Sequence, residues 1–139
     1  KESSAASDVY KRQILASQST PETKKQMYQL AEKLHQLFKQ TDERWVLLKG
    51  GHLPHNELVD LLFNGDQMIE LPNQRIDTKN THGTGCTYSA AICALATRDD
   101  DIVRATKDAK AYLIKAIERA DEMEVGSGHG PLHHFHQWW

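Results

Sequence analysis

Residues 81–87 read Thr-His-Gly-Thr-Gly-Cys-Thr, and residues 88–96 continue as Tyr-Ser-Ala-Ala-Ile-Cys-Ala-Leu-Ala. The alanine-rich part predicts a helix, so the glycines of the first part, here called the anion loop (residues 81–87), lie at its start. The first amides of a helix have no partner within it and carry the positive end of its dipole. Glycines there let a phosphate approach the backbone closely. We therefore predict an oxyanion site. Its donors are four consecutive backbone amides, those of Gly83, Thr84, Gly85 and Cys86.

The thiol of Cys86 stands at the same predicted helix start. An ordinary cysteine thiol has a pKa of about 8.5 and is largely protonated at neutral pH, but a helix start favours the thiolate. Phosphoryl transfer needs an anion site and a group that takes the proton of the attacking hydroxyl. We predict that Cys86 is this general base, the alternative being a buried, inert cysteine in a tight turn. Cys93, deeper in the helix, is predicted to be packed.

Three segments, in order along the chain, resemble one family. Residues 77–92 are similar to the signature of the hydroxymethylpyrimidine/phosphomethylpyrimidine kinases, thiamine-pathway enzymes of the ribokinase-like superfamily. Residues 46–52 resemble the family's strand followed by Lys-Gly-Gly-His, and residues 126–131 its C-terminal Gly-x-Gly-His-Gly-Pro. The resemblance covers most of residues 14–139. It implies an α/β, three-layer ribokinase-like fold of which the chain holds only the C-terminal part.

The resemblance also implies cofactors and site residues. It implies ATP and Mg²⁺, and it lays the Lys-Gly-Gly-His segment along the nucleotide: Lys49, Gly50, Gly51 and His52. A lysine after a buried strand is well placed to reach a phosphate, the alternative being a solvated lysine in a turn. The wider superfamily usually has an aspartate base where Cys86 stands, whereas the pyrimidine-kinase branch has cysteine.

Three further residues of the anion loop are predicted to contact the nucleotide: Thr81, His82 and Thr87. Each has an alternative role. For His82 and His52 the alternative is a role only in holding the geometry of their loops. For the hydroxyls of Thr84 and Thr87 the alternative is capping of the helix.

The predicted function is ATP-dependent phosphorylation of hydroxymethylpyrimidine and then of its monophosphate, with this chain carrying the ATP and anion-site half. A pyridoxal or hydroxyethylthiazole kinase is the alternative enzyme, and His82 before the glycines favours the pyrimidine branch over the thiazole one. A third alternative is an inactive truncated fragment, because substrate identity should depend on an N-terminal part. The expected partner is the small-molecule alcohol or its phosphate, and the full-length protein is expected to be a homo-oligomer.

Residues 1–13 are predicted to be a non-native leader. The chain lacks an initiator Met, residues 8–13 look like a translated sequencing-adaptor end, and the family pattern begins only afterwards. We accordingly expect residues 14–139 to be the C-terminal part of a single ribokinase-like kinase domain.

Composition restricts the class of partner. The 139 residues include 17 basic and 19 acidic side chains, and no basic stripe argues for nucleic acid. No apolar run approaches the ~20 residues of a membrane span, and nothing resembles a signal peptide. Cys86 and Cys93 lie about two helical turns apart, so no disulfide is expected. Reduced thiols favour a cytoplasmic protein.

The C-terminal tail is rich in histidine and tryptophan. His133, His134 and His136 match no zinc signature, so we predict no metal and interpret the tail as a surface segment. Trp138 and Trp139 are predicted to cover an apolar patch.

The remaining elements follow from periodicity and turn residues. A helix is predicted from a cap at Ser19 or Thr20, with Pro21 in its first turn. A buried strand is predicted over residues 45–48, and a hairpin over residues 58–71 around an Asn-Gly turn. Residues 72–80 are predicted to be a polar loop.

A last helix is predicted from the acidic run at residues 99–101. Its apolar positions recur at helical spacing: Ile102, Ala105, Ala109, Tyr112, Leu113, Ala116, Ile117 and Ala120.

Overall fold

The structure, a computed structural model, describes residues 21–37, 44–51 and 57–138. The predicted leader, the helix cap at Ser19 or Thr20, and two site or patch residues, His52 and Trp139, lie outside the described residues. The chain divides into two compact units, Lys1–Arg75 and Ile76–Trp139. Strands and helices both occur, so the predicted α/β class is confirmed. None of the described helices is long and apolar enough to cross a bilayer.

In the first unit, helix α1 spans Lys24–Leu37. Thr23 caps it, because its Oγ1 accepts from the amide of Gln26 at 3.3 Å and the amide of Thr23 donates to Gln26 Oε1 at 3.1 Å. This reciprocal pair is a capping box. Pro21 precedes the helix, so the prediction that it occupies the first turn is wrong. The capping box downstream satisfies the first amides and sets the later start.

The apolar stripe of α1 forms the core of this unit together with the strands. Three buried side chains of the helix and three of the strands pack in one cluster. The helix residues are Met27, Leu30 and Ala31, and the strand residues are Leu48, Val59 and Leu61. Leu34 packs partly against this cluster, whereas Leu37, at the helix end, is exposed. The predicted helical spacing therefore identified the packed face, except at its last turn.

Three antiparallel strands lie in the order β1-β2-β3: β1 Val46–Leu48, β2 Glu57–Phe63 and β3 Met68–Gln74. The predicted strand and hairpin are confirmed, with Leu48 opposite Leu61 and Phe63 opposite Met68. β3 runs two residues past Pro72, so the loop predicted over residues 72–80 begins too early. Pro72 is tolerated because β3 is an edge strand of the described sheet, where a missing amide hydrogen costs least.

The hairpin turn differs from the predicted Asn-Gly turn by one position. The amide of Asn64 donates to the carbonyl of Gln67 at 3.3 Å, so Gly65 and Asp66 are the two central residues. Gly65 has a φ of 106°, which favours glycine. Asn64 Oδ1 accepts from the amides of Asp66 at 3.0 Å and Gln67 at 2.8 Å. Asn64 therefore stabilises the turn through its side chain, as asparagine does in Asx-turns.

The second unit contains helix α2, Thr84–Asp99, helix α3, Ile102–Glu118, and a short 3-10 helix, Ala120–Glu122. Both long helices were predicted. Asp101 caps α3, because its Oδ1 accepts from the amides of Val103 at 2.9 Å and Arg104 at 3.0 Å.

Helices α2 and α3 pack along each other. The predicted stripe of α3 is largely buried, with Ala105, Ala109, Leu113 and Ala116 in its middle. On α2 the buried hydrophobic side chain is Tyr88. Cys93 is exposed, as are Ala90 and Ala94 near it on α2, so the prediction that it is packed is wrong.

Candidate functional site

The anion loop turns directly into α2. Gly83, the residue before the helix, has φ 87° and ψ 2°. A Cβ there would meet nothing within 4 Å, so the left-handed conformation, and not lack of space, selects glycine. The amide of Thr87 donates to the carbonyl of Gly83 at 2.8 Å and closes the first helical turn. The predicted helix start at the glycines is confirmed.

The amides at this helix start are available to a ligand. Those of Gly83, Gly85 and Cys86 have no acceptor among the residues that the structure describes. Gly85 and Cys86 are exposed. The fourth predicted donor, the amide of Thr84, makes a long bond of 3.4 Å to the carbonyl of Thr81. Free, exposed amides at the positive end of a helix bind anions.

The Thr84 hydroxyl holds the loop together. It donates to the carbonyl of Thr81 at 2.6 Å. Its one proton is therefore used within the protein, and its oxygen retains only acceptor capacity, which does not suit an anion. Thr81 and His82 have exposed side chains.

The thiol of Cys86 is exposed and lines an open groove of about 740 Å³ in the second unit. Alanines of α2, among them Ala90 and Ala94, line the groove, together with Tyr112 of α3 and His134 of the tail. Exposure removes the alternative of a buried cysteine. Its role as a base stays a prediction.

The C-terminal Gly-His-Gly-Pro motif lies against the residues that enter the anion loop. The amide of His82 donates to the carbonyl of Gly130 at 3.2 Å, and the amide of Gly130 donates to Asn80 Oδ1 at 2.9 Å. His129 Nδ1 is 2.9 Å from the carbonyl of Lys79. Three hydrogen bonds therefore join two segments that are far apart in the sequence.

Asn80 is the residue that the sequence analysis missed. It is 7% exposed, and its Nδ2 donates to Asp121 Oδ1 at 2.8 Å and to the carbonyl of Ala120 at 3.4 Å. A Cβ on Gly130 would lie 2.4 Å from Asn80 Oδ1, so this position has no room for a side chain. The available signal was the place of Asn80 inside the segment that carries the family resemblance.

The C-terminal tail is docked, and the prediction that it is a surface segment is wrong. His133 and His136 are only 3% and 5% exposed. The amide of His133 donates to the carbonyl of Ala116 at 3.0 Å, and Arg119 Nη1 donates to the carbonyl of His136 at 2.6 Å. Groups near the end of α3 thus bind the tail backbone. Hydrogen bonds from Arg119 also lower the pKa of Glu122.

His134 connects the tail to α2. Its carbonyl accepts from the Tyr112 hydroxyl at 2.8 Å, and its Nε2 lies 2.9 Å from Thr87 Oγ1. Trp138 is 73% exposed and covers no patch, contrary to the prediction. Within the described residues, no group of three His, Cys, Asp or Glu side chains is placed to hold a metal ion.

The Lys-Gly-Gly motif belongs to the first unit. Lys49, which directly follows β1, is half-buried. The amide of Gly50 donates to Asp60 Oδ1 at 2.9 Å, and a Cβ there would lie 1.9 Å from the carbonyl oxygen of Val59. Gly50 is therefore required for close packing on β2, and its amide is not free for a nucleotide. Gly51 is exposed, and its carbonyl accepts from Arg75 at 3.5 Å.

A family model for phosphomethylpyrimidine kinase matches residues 7–133 of the chain. The chain belongs to this family. The predicted family is confirmed. The match includes residues 7–13, the second half of the predicted leader, whose status stays a prediction.

Two curated members of the phosphomethylpyrimidine kinase family illustrate the relationship. The chain is 54% identical over 94 residues to the hydroxymethylpyrimidine/phosphomethylpyrimidine kinase of Rhizobium meliloti and 51% identical over 96 residues to that of Escherichia coli. Each alignment covers 68% of this chain and 35% of the relative. The chain thus spans about a third of the length of these relatives.

A solved structure supports the fold. The ADP complex of Bacillus subtilis pyridoxal kinase matches with a TM-score of 0.80 and 30% identity. The match covers 93% of this chain and 48% of that enzyme. The predicted α/β ribokinase-like fold is confirmed by this likeness.

Proposed function

We propose that this chain carries the phosphate-binding half of an ATP-dependent kinase that phosphorylates hydroxymethylpyrimidine and then its monophosphate in thiamine biosynthesis. One observation carries the proposal. In this member of the phosphomethylpyrimidine kinase family, the start of α2 carries an exposed thiol, that of Cys86, beside amides that have no acceptor among the described residues, those of Gly83, Gly85 and Cys86.

The amides act on the phosphoryl group. During transfer, negative charge is spread over the three equatorial oxygens of the phosphoryl group. Fixed amide donors stabilise that charge without having to reorganise during the reaction. Gly83 takes the required backbone conformation without strain, which fixes the direction of the amides of Gly85 and Cys86. The donor set suits a phosphate, because it offers neutral hydrogen-bond donors and the positive end of a helix.

Cys86 acts on the attacking alcohol. As a thiolate it accepts the hydroxymethyl proton while the oxygen attacks the phosphorus, and the nucleoside diphosphate departs on the opposite side. ATP supplies the phosphoryl group, and Mg²⁺, when bound, neutralises charge on its oxygens. No described residue is assigned to Mg²⁺.

We propose fewer nucleotide contacts than the sequence predicts, because some of the predicted residues already have partners within the protein. Lys49 and the exposed Gly51 remain candidates to contact the nucleotide, together with His52, while Gly50 is assigned to packing by its bond to Asp60. In the anion loop the exposed Thr81 and His82 remain candidates, whereas the Thr87 hydroxyl is engaged by His134. Homo-oligomeric assembly and a cytoplasmic location of the whole protein stay predictions.

Pyridoxal kinase activity is the second candidate function, favoured by the likeness to the Bacillus subtilis enzyme.

The proposed function is tested by measuring ADP release by a full-length enzyme that contains this chain, with hydroxymethylpyrimidine, pyridoxal and hydroxyethylthiazole as alternative alcohols. We expect the highest kcat/KM with hydroxymethylpyrimidine. A higher value with either of the other alcohols would change the assignment.

A further inference from the structure

The anion loop is held on both sides by one segment of the C-terminal tail. At the N-terminal end of the loop, Asn80 Oδ1 accepts from the amide of Gly130, whose carbonyl accepts from the amide of His82. At the C-terminal end of the loop, Thr87 Oγ1 lies 2.9 Å from His134 Nε2. Both contacts belong to the second unit.

We propose that residues 129–134 form a clamp that fixes the geometry of the anion loop, with Asn80 and His134 as positioning residues. The inference rests on the proposed function in one respect: the fixed amides are those that bind the phosphoryl group. Neither positioning residue is assigned a contact with substrate.

Asn80 suits its position because an amide side chain both donates and accepts. It donates to the carboxylate of Asp121 and accepts from the amide of Gly130. An aspartate would keep the acceptor but place a second carboxylate beside Asp121. An apolar residue would leave the buried amide of Gly130 without its acceptor. The missing side chain of Gly130 allows this approach, since a Cβ would lie 2.4 Å from Asn80 Oδ1.

Residues of α3 bind the backbone around His134. The Tyr112 hydroxyl donates to its carbonyl at 2.8 Å, and the preceding residue, His133, donates its amide to the carbonyl of Ala116. The backbone that carries the imidazole is therefore fixed to α3. Thr87, which the imidazole contacts, directly follows Cys86 in the first turn of α2.

The clamp has a chemical consequence. Residues 83–86 lie between the two points where the loop is tied, and they include the proposed oxyanion donors, the amides of Gly83, Gly85 and Cys86. Donors whose directions are set before the ligand arrives stabilise developing charge more than donors that must reorient.

The two exposed cysteines of α2 provide a test that needs no turnover. Iodoacetamide alkylation is followed separately at Cys86 and Cys93 by mass spectrometry at neutral pH. In Asn80→Ala and Thr87→Val we expect the rate at Cys86 to change about threefold or more, because loss of either tie lets the first turn of α2 open locally around this thiol. The rate at Cys93 stays unchanged.

Thr87→Ser is the matched control, since it keeps the hydroxyl that contacts His134 and should retain the wild-type rate at Cys86. If Asn80→Ala does not fold, the alkylation rates of Thr87→Val still test the clamp. An unchanged ratio of the two rates would overturn the proposal. So would an equal change at both cysteines, because that reports loss of the helix and not of the clamp.

The thiol measurement decides the clamp by itself. Failure of the proposed kinase activity would appear instead as absence of turnover in the unmodified full-length enzyme. In an active enzyme, Asn80→Ala should lower kcat while KM for the alcohol stays near its wild-type value, because the side chain acts on the loop through Gly130 and is assigned no contact with the substrate.

Discussion

Cys86 and Cys93 are two exposed thiols on one helix, seven residues apart. Cys86 stands at the helix start, where amides have no acceptor within the described part of the chain, whereas Cys93 lies in the helix interior. In a full-length enzyme that contains this chain, we expect Cys86→Ala to lower kcat about 100-fold or more, as loss of a general base does. KM should change little. Cys93→Ala, the matched control, should keep wild-type turnover. Rates of ADP release with hydroxymethylpyrimidine decide the matter, and near-normal turnover of Cys86→Ala would remove this residue as the base.

Gly83 tests the backbone of the loop. Gly83→Ala should destabilise the 139-residue chain by about 1 kcal/mol, because alanine is strained at a φ of 87°. Gly128→Ala is the control: a Cβ meets nothing within 4 Å at either position, and Gly128 has no positive φ. Urea unfolding followed by circular dichroism measures both. Equal midpoints for the two variants would show that the left-handed conformation is not required.

Single residues differed in how far the sequence could predict them. The position of Gly83 and Cys86 at a helix start was predictable because a helix start is a local feature, and the pattern that encodes it lies within a few residues. The role of Asn80 was not predictable, because its partners Asp121 and Gly130 lie 41 and 50 positions away. Burial of the tail histidines escaped prediction for the same reason.

At the scale of elements, Glu70 of β3 joins the sheet to α1. It accepts hydrogen bonds from Lys24 and Tyr28 of the helix. Both bonds lower the pKa of the Glu70 carboxyl below its usual value, and the bond from Lys24 has the larger effect. The bond to Glu70 in turn raises the pKa of Tyr28.

A pH dependence of stability follows from the lowered pKa of Glu70. Its contribution is present above the ordinary carboxylate range and is lost as the pH falls through the folded-state value. The side chain is 37% exposed, so we expect no more than about 0.5 kcal/mol. Glu70→Gln should lower stability at pH 7 and not at pH 3, measured by urea unfolding. Glu32→Gln, on the exposed face of α1, is the control, and an equal loss at both pH values in Glu70→Gln would contradict the assignment.

Elements were predicted well in kind and less well at their ends. The helix pattern identified α1, but the reciprocal Thr23–Gln26 bonds set its start. The hairpin was predicted with Asn64 and Gly65 as its central residues. In the structure Asn64 precedes the two central residues and stabilises the turn through its side-chain oxygen. The exact ends of helices and turns depend on which of several nearby polar side chains forms the capping hydrogen bond. The pattern of apolar residues does not determine which side chain does so.

At the scale of the whole molecule, the chain spans about a third of the curated relatives it matches. On α2 one face is open, and Ala90, Cys93 and Ala94 are exposed along it. We expect the 139-residue chain alone to turn over hydroxymethylpyrimidine at least about 100-fold more slowly than a full-length enzyme, because positioning of the substrate supplies much of the rate. Single-turnover assays at equal concentrations provide the comparison. Comparable rates would show that the chain suffices for catalysis.

The contact between Asn80 and Gly130 also determines when the site can form during synthesis. Domains form as the chain emerges from its N-terminal end, and contacts between distant residues form later because a long loop must first close. The residues of the anion loop are made well before the segment that binds them. A nascent chain that has not yet reached Gly130 therefore lacks both hydrogen bonds of this residue, to Asn80 and to His82, and the proposed phosphate site takes its described geometry only after Gly130 has been made.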